Sequence, residues 1–94
     1  MVQEFRTNID VLVRLAHAFH EIESWKKTHL FSASRTTWHS FVRYINWLIS
    51  KNYVELKIEG TDELYEVTRS GREMFDMILK LHEHVEKAKL LTIT

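Results

Sequence analysis

Lys26, Lys27, Arg35, Arg43 and Lys51 lie in a stretch from Glu23 to Glu55 that has no acidic residue between its ends. The chain as a whole carries thirteen basic and thirteen acidic residues and no formal net charge. The compensating acids are concentrated just downstream, where Glu55 to Glu66 hold five acids against Lys57 alone. Charge sorted in this way marks a face intended for a partner of opposite sign. Interleaved with the cations are Thr28, Thr36, Thr37, His39, Ser40 and Asn46. Arginine and asparagine can bond in two-pronged fashion to guanine and adenine edges, while lysines, hydroxyls and helix-end amides suit phosphate. These residues suit recognition of a polyanion, and the commonest polyanion for a basic helical face is nucleic acid.

Other chemistries find little support. The chain has no cysteine, so disulfides, thiolate metal sites and cysteine catalysis are all absent. Its two glycines, Gly60 and Gly71, form no phosphate-cradling loop. No nucleophile is paired with a base, and there is no pair of acids poised for acid–base work, so no enzyme activity and no cofactor are expected. Six histidines raise the question of a metal. His17, His20 and Glu21 cluster on one segment, and His82 and His84 on another, but neither group has a catalytic zinc spacing. They read as solvated helix-face histidines, and no metal site or small-molecule ligand is expected. The first residues, Met1 to Arg6, lack a basic region followed by an apolar run, and no apolar stretch approaches the roughly 20 residues of a membrane span. A cytoplasmic protein without membrane contact is expected.

The elements that position the basic residues follow from apolar spacing. Apolar residues make up 45% of the chain, enough for a packed core in one domain spanning 1–94. Asn8 is a good N-cap, and Ile9, Leu12, Val13, Ala16, Phe19 and Ile22 recur at helical spacing to about Glu23. Trp25-Lys26-Lys27 reads as an extended link. Thr28 is expected to cap a short second helix to about Ser34, followed by a polar break at Ser34-Arg35-Thr36. Thr37 caps a third helix over 37–51, with Trp38, Phe41, Ile45 and Leu48 on its buried face. That arrangement turns His39, Arg43, Asn46 and Ser50 to solvent. Asn52 suits the left-handed residue after a helix end.

Val54 to Glu59 alternate strictly and predict a half-buried strand. Gly60-Thr61-Asp62 is the turn, and Leu64 to Val67 return with Tyr65 and Val67 facing inward. Thr68 opens a last helix, in which Gly71 permits close approach to a neighbour. Met74, Ile78, Leu81, Val85 and Ala88 form a coiled-coil-like seam along it, with Phe75 and Leu79 alongside. Three helices, a hairpin and a long helix make an α+β, mainly α, winged helix-turn-helix. Its core spans 8–72, and the C-terminal helix spans 69–91.

Two segments carry a family resemblance. Lys27-Thr28-His29-Leu30 matches a K-T-x-aliphatic entry to the second helix. Tyr65 to Phe75 matches a Y-x-L-T-x-x-G-x-x-aromatic exit from the wing, with Val67 in place of leucine. Over roughly residues 8 to 90 the chain resembles the small archaeal winged helix-turn-helix DNA-binding proteins that dimerise through a C-terminal coiled-coil helix. The exit motif also occurs in PadR-like and MarR-like regulators. The resemblance implies double-stranded DNA binding as a homodimer, in transcription regulation or chromosome organisation. The chain departs from that family in lacking a lysine-rich recognition helix, and it carries Asn52 where glycine is usual.

The DNA-contacting residues expected on this reading are Lys26, Lys27, Thr28, Arg35, Thr36, Thr37, His39, Ser40, Arg43 and Asn46. The plainer reading is that Arg43 and Asn46 solvate a helix. Glu59, Asp62 and Glu63 near the wing tip would repel phosphate, so the wing either points away from DNA or meets another protein. The rival function is accordingly a winged-helix protein-interaction module without DNA contact. Ile78, Leu81, Val85 and Ala88 are the expected dimer interface, because a three-helix core can cover only the first turns of the last helix. The tail from Leu90 to Thr94 is expected to extend that interface or fray. Trp47, on the flank of the third helix, suits packing better than base stacking.

Overall fold

The computed structural model describes residues 7–92, so the expectations for Met1 to Arg6 and for the tail residues Ile93 and Thr94 lie outside the described residues. Along the chain run α1 (Ile9–Glu21), β1 (Ser24–Lys26), α2 (Lys27–Ser34), α3 (Trp38–Ser50), β2 (Val54–Glu59), β3 (Asp62–Val67) and α4 (Arg69–Thr92). The strands form one antiparallel sheet in the order β1-β3-β2. The expected two-stranded wing is present and gains a third strand. The segment read as a link pairs with β3, Trp25 opposite Tyr65 and Lys26 opposite Leu64. Three residues are too few to show a period of their own; a neighbouring edge and the Trp25 side chain fix them. The Trp25 indole N–H donates to the Ala18 carbonyl at 3.0 Å, anchoring β1 on α1.

Helix ends largely follow their capping residues. The Asn8 side chain accepts from the Asp10 amide at 2.8 Å, and Thr37 Oγ1 accepts from the Ser40 amide at 3.2 Å. Asn52, φ 62°, turns the chain after α3 through the left-handed conformation. Thr68 Oγ1 accepts from the Gly71 amide at 3.0 Å and donates to the Asn52 carbonyl at 2.6 Å. One hydroxyl thus caps α4 and ties it to the corner between α3 and β2. Thr28 is an exception. α2 begins two residues earlier, at Lys27, with Lys26 in the cap position and no side-chain cap, and Thr28 lies inside the helix. Its carbonyl accepts instead from Ser32 Oγ.

The core joins Leu12, Leu15, Ala16 and Phe19 of α1 to Leu30 of α2 and to Phe41, Ile45 and Leu48 of α3. Val54, Tyr65 and Val67 of the sheet and Phe75 of α4 complete it. Phe19 and Phe75 stack with centroids 5.5 Å apart. A Cβ on Gly71 would lie 1.9 Å from the Tyr53 carbonyl oxygen, so only glycine lets α4 pack here.

Two buried-face expectations need correction. Trp38 is 46% exposed, and Tyr44 takes the buried position instead. The Tyr44 hydroxyl accepts from the Asn8 amide, joining α3 to the start of α1. Helical spacing puts both aromatics near the core stripe, but Trp38 is the first residue of α3 and lies beyond the covering helices. The second correction concerns β2, where only Val54 is buried and Leu56 and Ile58 are exposed. Their alternation is real, since Leu56 opposes buried Tyr65. The hairpin overhangs the helices, however, and its inner face runs out of core.

Candidate nucleic-acid interface

α3 follows α2 across the short turn Arg35-Thr36-Thr37. Arg35 closes α2 in the left-handed conformation, with φ 52° and ψ 41°. A non-glycine residue pays about 1–2 kcal/mol for that conformation, so this corner is held by its surroundings. One support is Arg14, a residue the sequence did not single out, whose Nε donates to the Ser34 carbonyl at 2.7 Å. It satisfies a carbonyl that the end of α2 leaves without a helical partner.

His39, Arg43, Asn46 and Ser50 lie exposed on one face of α3, as the spacing predicts. Arg43, Asn46 and Ser50 line a shallow depression with the half-buried Trp47. The Trp47 ring meets Tyr53 edge-on at 6.0 Å, so it is engaged in packing. Arg35 does not join that face; it borders a cleft between α1 and α2 with Arg14, His17 and Trp25. Thr36 and Thr37 occupy the turn between the helices. Thr37 spends an oxygen lone pair on its cap, and Ser40 is half-buried one turn further on.

Lys26, Lys27 and Thr28 are placed at the wing side of the domain. Lys26 lies 3.7 Å from Asp62 and Lys27 3.7 Å from Glu63. The Lys27 ammonium also lies 5.3 Å from the centre of the Trp38 ring. Trp38 in turn meets Phe31 edge-on at 5.1 Å. An exposed aromatic side chain therefore links the start of α2 to the start of α3. The acids near the wing tip are thus drawn back onto the first cations of the acid-free stretch. Residues far apart in the chain make these pairs, and no local sequence pattern signals them.

Elsewhere on the wing, Lys57 donates to Glu66 at 2.8 Å. This hydrogen bond and the Glu66 charge raise the Lys57 pKa above its ordinary value. Burial raises the Tyr65 phenol above its ordinary range, with the nearby Lys27 opposing the shift. Neither group titrates near neutrality.

On α4, Ile78 is half-buried against the core, whereas Leu81, Val85 and Ala88 are exposed. Met77, outside the expected seam, is 70% exposed and lies one turn before Leu81. The uncovered stripe therefore begins at Met77 and continues through Leu81 and Val85. Among the described residues, no three His, Asp or Glu side chains come together in a way that could hold a metal. No described helix is long and apolar enough to cross a membrane.

Known proteins share this arrangement. An uncharacterised protein of Methanocaldococcus jannaschii is 28% identical over 78 residues, which cover 83% of this chain and 75% of that protein. The crystal structure of Sso10a-2, a DNA-binding protein from Sulfolobus solfataricus, superposes with a TM-score of 0.67 at 17% identity, covering 93% of each chain. F93 from STIV, a winged-helix DNA-binding protein, superposes with a TM-score of 0.69 at 18% identity, covering 89% of this chain and 95% of that one. At such identities the superpositions speak for the fold. A sequence model described as winged helix-turn-helix matches residues 6–86, most of the chain, so the protein belongs to the winged helix-turn-helix family.

Proposed function

We propose that this protein binds double-stranded DNA as a homodimer and regulates transcription, with α3 entering the major groove. The observation that carries the reading is the exposed face of α3, with His39, Arg43 and Asn46 side by side in a stretch free of acids. Arg43 and Asn46 have the donor geometry to read guanine and adenine edges. Thr36, Thr37 and Ser40, at or near the leading end of the helix, suit phosphate, as do Arg35, Lys26 and Lys27. The DNA-binding proteins of the same fold support the choice of partner. Sequence-selective binding is favoured over coating, because a chain of no net charge gains little from nonspecific counterion release.

The dimer reading rests on the uncovered stripe of α4. Leu81 and Val85 are 59% and 43% exposed, beyond the turns that α1 covers. Pairing two such helices would bury both stripes and set two copies of α3 at neighbouring turns of DNA. In analytical ultracentrifugation, Leu81→Glu is expected to convert a dimer into a monomer. A dimer of unchanged strength would show that the interface lies elsewhere.

DNA binding is tested by fluorescence anisotropy against duplex DNA at two salt concentrations. Affinity is expected to fall steeply with salt and to be lost in the Arg35→Ala/Arg43→Ala double variant. A wild-type protein that fails to bind duplex DNA at low salt overturns the reading. The exposed Leu56 and Ile58 on an acidic wing then favour the second reading, a protein-interaction module whose partner meets the wing.

A further inference from the structure

Two of the five cations in the acid-free stretch are held by the wing. The Lys26–Asp62 and Lys27–Glu63 pairs are each 3.7 Å long, and their side chains remain between 38% and 56% exposed. Ion pairs this open to solvent are weak and exchange readily. A phosphate arriving at either lysine would have to displace a carboxylate and then lie beside it. The cost falls on the electrostatic part of binding, which is blind to sequence, because a lysine already paired releases fewer counterions when it meets DNA. Lys27 is held further by the face of Trp38, whose ring centre lies 5.3 Å from its ammonium. The α3 helix itself contributes no acid to its outward face.

We propose that Asp62 and Glu63 act as a built-in competitor for DNA phosphate at Lys26 and Lys27, suppressing binding to arbitrary duplex and leaving discrimination to α3. The inference rests on the DNA-binding reading above and adds to it a role for the acidic wing. It also resolves the apparent conflict between a basic helical pair and an acidic hairpin. The wing's acids limit how strongly the basic helices hold DNA of the wrong sequence.

The test compares two variants that remove the same charge. Asp62→Asn/Glu63→Gln removes both competitors. Glu55→Gln/Glu59→Gln removes two acids of the neighbouring strand that pair with neither lysine. Each is titrated against a random-sequence duplex by anisotropy between 50 and 200 mM salt, values on the order of those over which phosphate contacts dominate affinity. Asp62→Asn/Glu63→Gln is expected to tighten low-salt binding about tenfold and to steepen the log–log salt slope by about one to two, the contribution of two freed phosphate contacts. Glu55→Gln/Glu59→Gln should leave the slope unchanged. In a Lys26→Ala/Lys27→Ala background, removing Asp62 and Glu63 should no longer alter the slope. If wild type binds and both charge variants shift it equally, the competitor is refuted while DNA binding stands. If wild type does not bind at the lowest salt, the DNA-binding reading falls and takes this inference with it.

Discussion

α4 is one continuous helix with two unlike halves. From Arg69 to about Leu79 it is clamped, with Thr68 capping it, Gly71 lying under the Tyr53 carbonyl and Phe75 stacked on Phe19. From Leu81 onward it leaves the core, and apolar Leu81, Val85 and Leu90 stand exposed among charged neighbours. Helix propensity alone would make both halves alike. The difference lies in what each half meets, and it separates residues that hold the fold from residues available for association.

Substitutions on the two sides of this divide should behave in opposite ways. Phe75→Ala is expected to have the largest effect on folding, lowering stability by about 4 kcal/mol in denaturant unfolding, because it empties a buried ring site. Gly71→Ala should cost about 3 kcal/mol in the same measurement, since its Cβ overlaps backbone that cannot rotate away. Wild-type stability in that variant would mean that α4 sits further from the α3–β2 corner than described. Thr68→Ala should cost about 1 kcal/mol, as cap losses do, with Thr68→Ser restoring most of it. By contrast, Leu81→Glu should change the stability of the isolated chain by less than about 0.5 kcal/mol, as surface substitutions do, when measured at a concentration too low for association.

The smallest effect in this set is alkaline. Tyr65 and Lys57 both have folded-state pKa values raised above their ordinary values. In each case the unfolded chain gives up its proton first, so stability is intact below about pH 10 and declines as pH rises beyond it. Thermal melts across that range should show the decline, and Tyr65→Phe should make it shallower. A flat profile in wild type would mean that the phenol is better solvated than its packing implies.

Most of the scaffold was legible because it depends on local rules. Thr37, Asn52 and Thr68 act where their side chains can cap or turn a helix, and helical spacing identifies the solvent face of α3. What escaped depends on where one element stops covering another. Leu56 and Ile58 alternate as core residues do, yet the hairpin outruns the helices beneath it. Trp38 keeps the core spacing but starts its helix outside the packed layer. Sequence spacing marks β1 as extended but not as paired, because its partner lies some forty residues downstream. The same distance hid the attachment of Lys26 and Lys27 to the wing acids, the feature that most changes the charge map. The residues of the basic face were legible as a set. Their division between α3, the α1–α2 cleft and the wing tip was not, because spacing along a helix says nothing about which neighbour folds back onto it.

Only Thr68 separates β3 from α4, so the chain has no slack between the wing and the long helix. The direction of the exposed stripe is therefore a matter of phase. Each residue advances the helix by about 100°. Inserting one residue between Leu79 and Leu81 would leave the clamped half in place and swing Leu81 and Val85 around the axis by that angle. Two copies meeting through the displaced stripe would present α3 in a different relative orientation. A single codon gained or lost there would alter the geometry of an assembly without touching any residue that packs the core or reads a partner.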